Sequence, residues 1–145
     1  MPSILRSILA VLCGALVGGA VILGMELVGT RVFPPPASLA PADPESMRAA
    51  MAALPLGAFV MVLAGWALGT FAGAWVAARV AGRSPLGHGL AVGLLFLAAG
   101  VANMLSLPHP VWFWVVGVLL FLPAGYLGGR LAAGGGGHRE LPAAA

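Results

Sequence analysis

Lysine is absent from this chain, and charge of either sign is scarce: seven arginines and four acids among 145 residues. With 61% hydrophobic residues and a mean hydropathy of +1.04, that scarcity excludes an ordinary soluble domain, which could not hide so much apolar surface. Cysteine is reduced to Cys13, so an internal disulfide is excluded. The residues before it, Ala10, Val11 and Leu12, lack the order of a lipoprotein site, and the thiol reads as buried and inert. The pI of about 10.6 does not point to nucleic acid, because the arginines are dispersed and form no basic run. Arginine as the sole strongly basic residue type fits high-GC coding and a bacterial source.

Catalytic patterns are missing too. There is no Gly-x-Ser-x-Gly, no His-Glu-x-x-His, no Cys-x-x-Cys and no pair of acids at fixed spacing within an apolar stretch. The glycine run Gly134 to Gly137 is followed by no Gly-Lys-Ser/Thr, so it reads as a flexible tail and not as a phosphate loop. The expectation is a protein that is no enzyme and carries no cofactor. His109 has no second ligand nearby in sequence, so no metal site is expected.

What is present is long apolar runs. Residues 7–28, 56–78, 86–107 and 111–131 are each long enough to span a bilayer at about 20 residues per crossing. The first runs on into Glu26, Leu27 and Val28 without a cleavage region, so it reads as an uncleaved helix anchored by Arg6 and not as a signal peptide. Pro55, Pro85 and Pro110 mark the starts of the other three, where a first helical turn has no use for the missing N–H. Ser84 is placed to cap the third span. Pro123 falls inside the fourth and should kink it unless neighbouring groups take up the freed carbonyl.

The fold class predicted is therefore all-α: a four-transmembrane-helix bundle over 1–132, with a flexible cytoplasmic tail over 133–145. Arg6, Arg79, Arg83, Arg130 and Arg139 fall on one side of it, against Arg31 and Arg48 on the other, which predicts both termini in the cytoplasm of a bacterial inner membrane. Trp112, Phe113 and Trp114 are expected at the outer interface, and Trp75 and Tyr126 toward the inner one. The segment 30–55 lies outside. Pro34-Pro35-Pro36 stiffens its exit, and Asp43 before Pro44 and Glu45 starts a short helix whose Met47, Ala50, Met51 and Leu54 recur on one side. That helix is expected to lie, amphipathic, on the external surface.

Small residues are the means by which helices meet in lipid. Gly65, Gly69, Gly73 and Ala77 repeat every four residues, as do Gly14 with Gly18, Gly89 with Gly93, and Gly125 with Gly129. They read either as internal packing of the bundle or as a face for self-association. Polar residues within the spans gather near the outer ends: Glu26, Asn103 and Ser106, with Thr30, Arg31, Arg48 and His109 in the same layer, while the cytoplasmic half is almost purely apolar. Glu26 reads as an interfacial carboxylate paired with Arg31 or Arg48, or as a proton or cation site facing the interior. Asn103 reads as a helix-to-helix hydrogen-bonding group and His109 as a solvated loop histidine.

The order Glu26-x-x-Gly29, Pro34-Pro35-Pro36, Asp43-Pro44-Glu45, Leu54-Pro55-Leu56-Gly57, the glycine stripe, and Gly100-Val101-Ala102-Asn103 leading to Pro108-His109-Pro110-Val111-Trp112-Phe113 resembles a group of small bacterial four-helix integral membrane proteins. The resemblance covers residues 6 to about 132. It implies fold and membrane location and carries no activity, and Thr30 stands where many members have histidine. Small multidrug transporters are also four-helix proteins with a glutamate in the first helix, but here Glu26 lies nearer the helix end and the first loop is longer.

Two functions follow as expectations. The first is a non-catalytic protein acting by helix association, with the lipid bilayer, a second copy or a membrane complex as its partners and no nucleic acid. The second is a small oligomeric permease or channel for an ion or small solute, with Glu26 as its coupling group.

Overall fold

The computed structural model describes residues 3–35 and 43–134. Pro36, Arg139 and the tail beyond Gly134 lie outside the described residues. Within them the secondary structure is all helical: α1 (Ser3–Val32), α2 (Pro44–Ala53), α3 (Leu56–Ala81), α4 (Pro85–Ser106) and α5 (Val111–Gly134). Four of these helices, α1, α3, α4 and α5, are long and apolar enough to cross a membrane.

The helix ends follow local chemistry. Asp43 caps α2 by accepting hydrogen bonds from the Glu45 and Ser46 backbone N–H groups at 3.2 and 3.0 Å, with Pro44 in the first turn. Ser84 does not cap α4 as its side-chain chemistry would suggest. The three-residue reversal before Pro85, where the helical conformation is disfavoured, leaves Ser84 left-handed (φ 42°, ψ 58°), with its hydroxyl beside Gly87. The Ser84 carbonyl is used instead, accepting from the His88 backbone N–H at 3.1 Å and from its Nδ1 at 3.0 Å. Helix α5 continues through Pro123 to Gly134.

Helix α3 packs against each of the other long helices, and α4 packs against α5. The closest approaches are between glycines. A Cβ on Gly73 would lie 2.5 Å from the Gly14 carbonyl oxygen, and one on Gly18 would lie 2.6 Å from that of Gly69. Gly65 faces Met25 of α1 in the same seam, and a Cβ on Gly89 of α4 would lie 2.5 Å from the Gly125 oxygen of α5. The glycine stripes are thus occupied within the chain, where backbone approach replaces the hydrophobic drive that lipid cannot supply.

Beyond these seams the helices are held apart by large side chains. Phe59, Leu63, Trp66, Met104, Phe113 and Phe121 form one buried cluster. Trp66 stacks on Phe121 (centroids 5.3 Å apart, 29° between planes) and meets Phe113 edge-on at 5.3 Å. Phe113 is 0% exposed, which corrects its assignment to an interfacial aromatic belt. Val111 and Val115, each two residues away and so on the opposite side of the helix, are exposed, and the inward face of α5 begins at Phe113 itself.

At the opposite end arginines tie α1 to the end of α3. Arg6 Nε donates to the Val80 carbonyl at 3.1 Å, and Arg83 donates to the Ser3 carbonyl at 3.0 Å and the Ser7 hydroxyl at 2.9 Å. These cations sit at the negative end of the α3 dipole. Gly82 (φ 65°) ends α3, and a side chain there would meet the Arg6 guanidinium at 2.6 Å. Arg79 lies 5.3 Å from the Trp75 ring centroid.

Two expectations are corrected here. Cys13 is exposed, because the face of α1 turned to α3 runs through Ala10, Gly14 and Gly18 and leaves position 13 outside it. The end holding the arginines is not purely apolar inside, since His88 is buried near it. Deeper in the bundle, Thr70 is 0% exposed and its hydroxyl has no partner among the described residues.

Candidate functional site

At the end of the bundle away from Arg6 and Arg83, α1 and α4 part. They meet where the Phe96 ring lies over Gly18, 2.7 Å from where its Cβ would be. Past that contact a cleft of about 380 Å³ opens, walled by α1, α3 and α4 together with Met51 and Leu54. Phe59, a member of the buried aromatic cluster, forms part of its wall.

Glu26 stands in this cleft. It is six residues short of the end of α1, about 9 Å along the axis. Helical spacing puts it on the stripe of Val11, Gly18 and Ile22, which pack toward α3 and α4. Asn103, seven residues after Phe96, lies on the same face of α4 and lines the same cleft. Both side chains are exposed, and neither forms a hydrogen bond or ion pair among the described residues. Thr30 completes the polar set on α1, its hydroxyl donating to the Leu27 carbonyl at 3.0 Å. The remaining walls are apolar, with Met25, Met51 and Met61 on three helices and the rings of Phe33 and Phe59.

The expected pairing of Glu26 with an arginine is not found. Arg31 follows Glu26 by five residues on one helix, a rotation of about 140° that points it elsewhere. Arg48 lines a second cleft, with Met47, Ser106, Trp114 and the other side of the His109 loop. The candidate polar cluster therefore divides: Glu26, Asn103 and His109 share one cleft, and Arg31 and Arg48 lie outside it. Asn103 likewise makes no helix-to-helix hydrogen bond, because α1 has already diverged from α4 at its depth. Ser106 is turned back onto the Ala102 carbonyl at 2.9 Å.

His109 is not a solvated loop residue. Its ring stacks on Phe113 (4.5 Å, 17°) and meets Phe59 edge-on at 6.3 Å. Its Nδ1 lies 3.0 Å from the Leu107 carbonyl, which can only accept, so the bond places a proton on Nδ1. Burial lowers its pKa below the ordinary 6.5, with backbone hydrogen bonds at Leu107 and Met104 opposing the shift in part. A histidine held neutral by the fold binds fewer protons folded than unfolded, so its contribution is complete above 6.5 and is lost as pH falls below that value. The expected outcome is a His109 ring resonance that titrates below 6.5 in an NMR series on the detergent-solubilised protein. A midpoint at or above 6.5 contradicts the stacked, desolvated geometry.

Sequence reasoning overlooked His88, whose position four residues after Ser84 at a helix start was the available signal. It also overlooked the methionine and phenylalanine walls of the cleft, which come from separate helices and have no common spacing. Among the described residues no group of three His, Cys, Asp or Glu side chains is arranged to hold a metal ion. No family profile, curated protein or solved structure matches this chain.

Proposed function

We propose that this chain is a non-catalytic, multi-pass protein of a bacterial inner membrane, with both termini cytoplasmic and α2 lying on the outer surface. Its working site in this reading is the outer cleft, where Glu26 takes up a proton or a small cation. The supporting observation is a carboxylate without a partner among the described residues, in a largely apolar cleft. Helix α1 is about 45 Å long, so Glu26 sits about 13 Å past its midpoint, just inside a hydrocarbon layer of about 15 Å on each side. An ionisable group kept there at a cost of solvation marks a function. The arginines of the opposite rim support the orientation. A reporter fused at Ala133 is expected to be active only as a cytoplasmic fusion, and activity of an exported reporter there would overturn the orientation.

Within one chain the inner halves close on the α1–α3 and α4–α5 glycine seams, so a permeation path would run between copies. The test is flux in liposomes. The intact protein is expected to give pH-dependent cation flux that Glu26→Gln abolishes, and an intact protein without flux sinks the permease reading. A second reading, association, rests on α1, where Gly19 and Gly24 have open space around them, unlike the packed glycines. The two are about 140° apart around α1, so each gives a separate outward notch where the backbone of another helix can approach closely.

A further inference from the structure

The cleft also carries information about what it accepts. We infer that its ligand is a small organic cation with an apolar body: an ammonium or guanidinium group held by Glu26, and the body held by Phe33, Phe59 and the three methionines. This rests on the reading of the cleft as a binding site. The charge argument comes first. Among the described residues Glu26 is the only acid lining the cleft, no arginine lines it, and the imidazole of His109, its pKa lowered by burial, adds no competing positive charge.

The walls then decide between kinds of cation. A hard inorganic ion needs about six oxygens to replace its water, and the cleft offers the Glu26 carboxylate, the Asn103 amide and a Thr30 hydroxyl already engaged with Leu27. That set is too small to strip such an ion. A diffuse organic cation asks less, because its charge is already spread and its hydration is weak. Aromatic faces attract it through the ring quadrupole, and methionine thioethers are polarizable and adapt to irregular shapes. The volume of about 380 Å³ falls in the range that encloses a small drug-sized ligand.

The experiment is calorimetric titration of the full chain in nanodiscs of zwitterionic lipid. The probes are benzyltrimethylammonium, tetramethylammonium, benzyl alcohol and sodium ion. Benzyltrimethylammonium is expected to bind at least about tenfold more tightly than tetramethylammonium, which has the charge without the body, or benzyl alcohol, which has the body without the charge. Glu26→Gln is expected to lose at least about tenfold in that affinity, Glu26→Asp to keep most of it, and Glu45→Gln on α2 to leave it unchanged. Glu26 has no partner among the described residues, so its variants should melt with the parent, which separates lost binding from lost folding. Unchanged affinity in Glu26→Gln overturns the inference. Equal or tighter binding of tetramethylammonium or sodium, removed by Glu26→Gln, overturns the assignment of a cation with an apolar body and leaves the cleft as a cation site. Failure of every cation to bind overturns both.

Discussion

Replacing Gly69 by leucine is expected to prevent the folded protein from accumulating. A Cβ at this position would lie 2.5 Å from Cγ1 of Ile22 and 2.6 Å from the Gly18 carbonyl oxygen, before the rest of the leucine is placed. The second of these is backbone, which cannot rotate aside, so α1 must lift away from α3 along its length. Overpacking a yielding core costs about 1–3 kcal/mol, and a contact between two backbones belongs at or above the top of that range. Few other contacts hold α1, since it packs mainly on α3 and its remaining faces are exposed. The same substitution at Gly24, which has nothing within 4 Å, is expected to leave yield and melting temperature unchanged. Both variants are read by yield and thermal unfolding in mild detergent. A Gly69→Leu protein that melts with the parent would contradict the seam.

Phe113→Ala is the second large effect. Phe113 is fully buried and touches Phe59, Trp66, Trp112 and His109, so truncation leaves a hole that its stacked and edge-on neighbours cannot fill from one direction. Removing such a ring costs about 3–5 kcal/mol in water-soluble cores. The lower end, about 3 kcal/mol, is expected here because an apolar surrounding lessens the transfer part of the loss. The variant has a second consequence. His109 owes its lowered pKa first to burial, and loss of the ring beneath it admits water, so its titration should return toward 6.5. Thermal unfolding and the His109 resonance measure the two together. A destabilised protein with an unmoved His109 titration would show that Phe113 does not shield the imidazole.

Sequence and structure agree best where a signal is local. The Asp43–Pro44 start of α2 was legible because a cap involves residues within three positions of one another. Ser84 shows the limit of the same reasoning: its hydroxyl suits a cap, yet the tight reversal ahead of Pro85 sets its backbone to a conformation from which the cap is not made. Glycine spacing of four identified faces that permit close approach, but spacing says nothing of the partner. That α1 meets α3 and α4 meets α5 is a matter of tertiary pairing. The layer of polar residues was likewise visible as shared depth, while the division of that layer into two clefts was not, because depth carries no azimuth.

What the sequence determined by itself was the four long apolar helices, since apolar length and proline position act within each segment. The tertiary structure alone decided that Glu26 lacks a partner among the described residues, that Phe113 is core and Cys13 is not, and that His109 stacks on Phe113 with Phe59 edge-on to it. Each depends on which helix stands opposite, and that is set by the whole packing of glycine seams and aromatic cluster, not by any one segment.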